Sequence, residues 1–148
     1  MHGPDDCVDE LRRLDEELHL DASCGESTGV LVVVRDGKVF GASVGDSGAW
    51  ALTTDAIFDL TGRQRRKPRL GSGSAEPIGF GPSFCNDRLV VASDGLLKYA
   101  PRDRIRRVAF IDDIDTAADE LIAARRLPAG GLQDDVAFVI VDPARRAR

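Results

Sequence analysis

The chain has 148 residues, 43% of them hydrophobic and 30% charged, an ordinary globular composition with enough apolar material for one core. Its formal charge of -5 and isoelectric point near 5.0 lack the basic surplus with which proteins neutralise nucleic-acid phosphates, so nucleic acid is excluded as an expected partner. No apolar run approaches the roughly 18 residues that span a bilayer, and the acidic, amphipathic N-terminal stretch does not resemble a signal peptide. The expectation is therefore one domain over residues 1–148, off the membrane, in the cytoplasm. The three cysteines, Cys7, Cys24 and Cys85, are far apart and form no CxxC pair, which argues against a disulfide framework or a structural zinc. With His2 and His19 the only imidazoles, any metal must be held by carboxylates, which points to a hard cation such as Mg or Mn.

In chain order, Val8, Leu11, Leu14 and Leu18 recur at intervals of three or four and predict an amphipathic helix from Asp5 to Leu20. The polar stretch from Asp21 to Thr28 reads as a loop, and Val30 to Val34 is a β-branched run typical of a strand buried on both faces. Asp36-Gly37 supplies a tight hairpin turn, so Lys38 to Val44 is the return strand. Ala49–Thr53 and Ile57–Leu60 predict two further short strands. Residues 61–82 carry Arg63, Arg65, Arg66, Lys67 and Arg69 and then Gly71-Ser72-Gly73-Ser74, with no periodic apolar face, and read as an exposed, flexible basic loop. Arg88–Ala92 is a strand ending at Ser93-Asp94-Gly95, followed by a short helical turn over Leu96–Tyr99. Asp115 to Arg126 predicts a helix with Asp115 as N-cap, stopped by Pro128 and Gly130-Gly131. Val136–Val141 is a final strand and residues 143–148 a basic tail.

Three acidic turns, Gly45-Asp46-Ser47, Ser93-Asp94-Gly95 and Gln133-Asp134-Asp135, each abut an apolar strand. A carboxylate at such a place needs a cation, backbone donors or a turn role to justify it, and a shared divalent metal would satisfy all three. Singly, each turn is explained as well by the turn-forming habit of Asp and Gly.

Jointly and in order, these segments resemble the metal-dependent protein phosphatases of type 2C, the PPM family. Gly25-Glu26-Ser27-Thr28-Gly29-Val30 resembles that family's entry to a central strand, and Ala42-Ser43-Val44-Gly45-Asp46-Ser47-Gly48-Ala49 its Ala-Asn-Val-Gly-Asp-Ser-Arg-Ala segment. Val91-Ala92-Ser93-Asp94-Gly95-Leu96 resembles its Leu-Ala-Ser-Asp-Gly-Leu, and Asp134-Asp135 followed by Val136 to Ile140 its terminal Asp-Asn and strand. The likeness covers most of residues 25–141. It implies an α+β, α-β-β-α sandwich, incomplete on its N-terminal side, with Mn or Mg at one end activating a water that attacks phosphoserine or phosphothreonine. By the same resemblance Asp94 and Asp134 match core metal ligands and Asp46 the ligand of an additional, weaker ion, while no catalytic side chain is implied beyond the metal ligands. The implied partner is a phosphorylated protein substrate or a signalling protein. The family's Asp-Gly-His-Gly-Gly-like turn, whose Asp bridges both ions, has no counterpart before residue 25, and residues 71–80 lack the Asp of its Arg-Ala-x-Gly-Asp-like stretch. Losing a bridging carboxylate leaves the repulsion of two dications poorly offset. A catalytically inactive, phosphatase-like binding or regulatory module is therefore the alternative reading.

Other segments carry less. Gly45-Asp46-Ser47-Gly48 also resembles the nucleophile segment of trypsin-like proteases, but only His19 is available as a base and the chain is too short for a double barrel. The run from Arg63 to Arg69 reads as a solvated loop in preference to a phosphate receptor, and Gly71-Ser72-Gly73-Ser74 lacks the Gly-Lys-Ser/Thr ending of a P-loop. His19 is expected on the surface of the first helix, and Trp50 and Tyr99 as packing residues.

Overall fold

The structure is a computed structural model and describes residues 1–85, 87–124 and 134–143. Its elements in chain order are α1 (Pro4–Leu20), β1 (Gly29–Arg35), β2 (Lys38–Val44), β3 (Gly48–Leu52), β4 (Ile57–Asp59), β5 (Ile78–Phe84), β6 (Arg88–Ala92), α2 (Asp94–Leu97), α3 (Arg102–Ala109), α4 (Ile114–Ala123) and β7 (Phe138–Val141).

Helix α1 starts at a proline in its first position, with Asp5 and Asp6 in the first turn, where a helix leaves amides unpaired and favours negative charge. The Asp6 carboxylate accepts from the amides of His2 and Gly3. Those bonds, the His2 amide first, hold its carboxyl below the usual carboxylate range. The apolar stripe of α1 packs Cys7 and Leu11 onto Phe40, Ala42 and Val44 of β2 and onto Leu70.

Strands β1, β2 and β5 form an antiparallel sheet in that order. The β1–β2 hairpin turns at Asp36 (φ 50°) and Gly37 (φ 70°), both left-handed, as the sequence predicts. Alternation along β2 sends Phe40, Ala42 and Val44 to α1 and Val39 to the opposite face. There Val39 meets Ala51, Cys85 and Leu89 in a thin layer between the two sheets. The second sheet, β4-β3-β6-β7, is also antiparallel throughout. Its other face sends Trp50, Leu52, Val90 and Ala92 to Leu96, Ile105, Val108, Ala117 and Leu121 of the remaining helices. The layers thus run helix, sheet, sheet, helices, the α-β-β-α sandwich that the resemblance implies.

Several elements depart from the sequence reading. Strand β1 is not buried on both faces: it is the edge of its sheet, partly exposed along Gly29 to Val33, with Val34 and Arg35 exposed. Residues 61–82 are not loop throughout: Leu70 is buried, and Ile78 onward forms β5, which pairs with β2 through a bulge between Val39 and Gly41. A segment reading Ile-Gly-Phe-Gly-Pro-Ser-Phe has little intrinsic strand preference. It is a strand because β2 offers a free edge and Phe80 an apolar anchor. Helix α3 was not expected among its arginines, yet Ile105, Val108 and Ala109 make one buried face, and the Arg102 guanidinium stacks 4.6 Å from the Trp50 ring centroid. Helix α4 begins one residue before Asp115. Its cap is Asp113, whose carboxylate accepts the Thr116 amide at 3.1 Å. Arg125 and Arg126 of the expected helix, its Pro128 and Gly130-Gly131 stop, Gln133, and the tail beyond Pro143 lie outside the described residues. Among the described residues no helix is long and apolar enough to cross a membrane.

Candidate functional site

Strand register brings the acidic turns to one end of the second sheet. Gly48 pairs with Ala92 and Ala92 with Phe138. Asp46 precedes Gly48 by two residues, Asp94 follows Ala92 by two, and Asp134 precedes Phe138 by four. All three leave the sheet at the same edge.

The Asp94 and Asp134 turns are stitched together. The Ser93 amide donates to the Ala137 carbonyl at 2.9 Å. The Ala137 amide donates to Ser93 Oγ at 3.1 Å, and Ser93 Oγ donates to the Asp135 carbonyl at 3.3 Å. Gly95 makes this approach possible: a Cβ placed there would stand 2.1 Å from the Asp135 carbonyl oxygen and 3.5 Å from Asp134 Cβ. The Ser-Asp-Gly sequence is thus a serine that clasps the second turn, a carboxylate, and a residue without a side chain where that turn passes. Asp94 is half-buried, and among the described residues no hydrogen bond or ion pair reaches its carboxylate. Asp134 is exposed, and its Oδ1 accepts the Asp135 amide at 2.9 Å.

Asp46 and Asp94 line one open cleft of about 380 Å³, together with Asp59, Gln64, Arg66 and Lys98; Asp134 does not line it. The Asp46 turn is held by Gln64, whose Nε2 donates to the Ser47 carbonyl at 2.7 Å, and by a 2.7 Å hydroxyl pair between Thr28 Oγ1 and Ser47 Oγ. Unlike Asp94, Asp46 has a cation: Arg69 Nη2 stands 3.4 Å from its Oδ2. Asp59 Oδ1 accepts the Thr61 amide and hydroxyl, each at 3.0 Å. Among the described residues no three Asp, Glu, His or Cys side chains converge closely enough to hold a metal ion, and the other residues of the chain include none of these four types. The three turns share an end of the fold without making a three-carboxylate cage.

The sequence reading missed Asp59, Gln64, Thr28 and the partnered state of Arg69. Asp59-Leu60-Thr61 carries the local mark of an Asx turn, which was the one available signal. The others act on segments distant in the chain. Ser47 has Thr28 as its hydroxyl partner, while His19 sits at the far end of α1 with Nδ1 3.4 Å from the Gly71 carbonyl, so the protease-like reading has no triad.

Comparison with solved structures agrees with this fold. A bacterial serine phosphatase superposes with a TM-score of 0.71 at 22% identity, over 93% of this chain and 66% of that one. Serine/threonine phosphatase Stp1 from Staphylococcus aureus gives 0.63 at 21% identity, over 93% and 64%. The Mycobacterium tuberculosis serine/threonine phosphatase PstP/Ppp gives 0.69 at 16%, over 89% and 67%. A structure of the PstP catalytic domain in complex with two manganese ions gives 0.70 at 17%. No family model and no curated protein matches the chain. At these identities the likeness establishes the fold, that of the type 2C serine/threonine phosphatases. The chain spans 63% of one bacterial serine phosphatase and 66% of another.

Proposed function

We propose that the chain is the later part of a Mn- or Mg-dependent protein serine/threonine phosphatase domain, with Asp94 and Asp134 as ligands of one ion and Asp46 as a carboxylate that lines the same cleft as Asp94. The observation that carries this reading is the half-buried Asp94 carboxylate, without a partner among the described residues and set against the Asp134 turn at Gly95. Such a carboxylate is disfavoured without a cation, and oxygen donors alone suit Mg or Mn. The residues present fit one hard ion and do not fit a pair, since Asp46, the carboxylate a second ion would need, already faces Arg69. A bound ion supplies Lewis acidity and a more acidic water for attack on phosphorus. The chain itself contributes the charge of Asp94, and Arg66 and Lys98 at the cleft give an incoming phosphate monoester positively charged partners. A phosphorylated protein is the proposed substrate, a single domain the proposed organisation, and the cytoplasm the proposed location.

The specific observation favouring the second reading, an inactive phosphatase-like module, is the Arg69–Asp46 pair together with the missing third carboxylate. Mn-dependent hydrolysis of a phosphothreonine peptide separates the two. Turnover by the wild-type chain, lost in Asp94→Asn and in Asp134→Asn, supports the enzyme. Absence of turnover combined with absence of Mn binding by calorimetry overturns it.

A further inference from the structure

Arg69 lies in the stretch expected to be solvated, yet its Nε is buried with no hydrogen-bond partner among the described residues, and its Nη2 faces Asp46 at 3.4 Å. A guanidinium stays charged at any physiological pH. We propose that Arg69 is a resident cation at Asp46, held there from α1 by the carboxylate of Asp15, so that the Asp46 position is charge-balanced without an ion. The proposal deepens the metal reading above, because it limits ion binding to the Asp94–Asp134 side.

The hold on Arg69 begins in a buried charge that the phosphatase reading does not use. Asp15 is 4% exposed on the inner face of α1. Its Oδ1 accepts the amides of Gly71 at 2.7 Å and Gly73 at 3.2 Å, and its Oδ2 accepts the Ala75 amide at 2.9 Å. Gly71 (φ 89°) and Gly73 (φ 71°) are left-handed, which turns alternate amides to one side and makes a concave anion-binding nest. Here the anion is a side chain of the same protein. The Gly-Ser-Gly-Ser segment is therefore a fixed cradle around Asp15.

The cradle fixes what precedes it. The Arg69 carbonyl accepts the Ser72 hydroxyl at 2.6 Å and the Ser72 amide at 3.3 Å. Leu70 is buried and bridges Ser27 in both directions, at 2.9 and 3.0 Å. Arg69 is thus anchored on its C-terminal side, and its guanidinium is delivered to Asp46. A dication arriving at Asp46 meets a fixed positive charge and must displace it.

The test counts bound Mn by the loss of the free-ion electron paramagnetic resonance signal, with circular dichroism confirming that each variant is folded. Asp46→Asn is expected to leave the number of Mn bound per chain unchanged from wild type. Arg69→Gln is expected to bind one more, and the double variant Arg69→Gln/Asp46→Asn to lose it again. Arg69→Lys keeps the charge and is expected to match wild type. Asp15→Asn, which presents a donor to the cradle amides, is expected to move the count toward that of Arg69→Gln. A folded Asp46→Asn chain that binds one Mn fewer than wild type overturns the proposal, as does a folded Arg69→Gln chain with an unchanged count. Failure of the metal reading is distinguishable: wild type would bind no Mn, while Arg69→Gln would still gain an ion that Asp46→Asn removes.

Discussion

Replacing Gly95 with alanine tests the apposition on which the site rests. Within α2 the change alone should stabilise by about 1 kcal/mol, the ordinary helix-propensity gain. The added methyl, however, would stand 2.1 Å from the Asp135 carbonyl oxygen, a backbone atom that cannot rotate away. Restoring ordinary contact at about 3.5 Å moves one turn by more than about 1 Å. Such overpacking costs about 1–3 kcal/mol. It also strains the bonds of Ser93 Oγ to Asp135 and Ala137, worth about 1 kcal/mol each. The net expectation is a loss of about 1–3 kcal/mol. Urea unfolding followed by Trp50, the single tryptophan and a buried one, should show the midpoint falling by about 1 M. Calorimetry should show Mn binding weakened at least about tenfold. A Gly95→Ala chain more stable than wild type by about 1 kcal/mol, with unchanged Mn affinity, would refute the apposition of the two turns.

Other outcomes follow from the packing. Leu121→Ala, at a fully buried position beneath the second sheet, should lose about 2–5 kcal/mol in denaturant unfolding. Asp113→Ala removes the cap of α4 and should lose about 1 kcal/mol, with Asp113→Ser recovering most of it. Of the three thiols, Cys24 is exposed while Cys7 and Cys85 are buried, and burial pushes both of those thiols up. A disulfide-exchange reagent at pH 8 should therefore label one thiol per native chain and all three after unfolding. Mn should raise the melting temperature of wild type and leave that of Asp94→Asn unchanged.

The sequence showed most clearly what local pattern controls. The β1–β2 hairpin was legible because Asp36-Gly37 fixes the turn and a β-branched run leads into it. The three acidic turns were legible as a set because each ends or begins an apolar strand. Their gathering at one end then follows from antiparallel pairing, Gly48 with Ala92 and Ala92 with Phe138. β5 was hidden because glycine and proline erase its own preference and its partner lies 35 to 46 residues back in the chain, as in the pairing of Ser43 with Ile78 and Lys38 with Phe84. Arg69 and Asp15 were hidden for the same kind of reason. The charge partner of Arg69 lies 23 residues away, and the amides around Asp15 lie 56 to 60 residues away. A glycine-serine run that reads as a flexible connector became a fixed cradle once a helix brought it a carboxylate.

The most direct test of the central claim is an anomalous difference map, collected at the Mn absorption edge, from crystals grown with Mn. A peak bounded by the carboxylates of Asp94 and Asp134 is expected. Well-ordered density for both turns with no peak between them would contradict it.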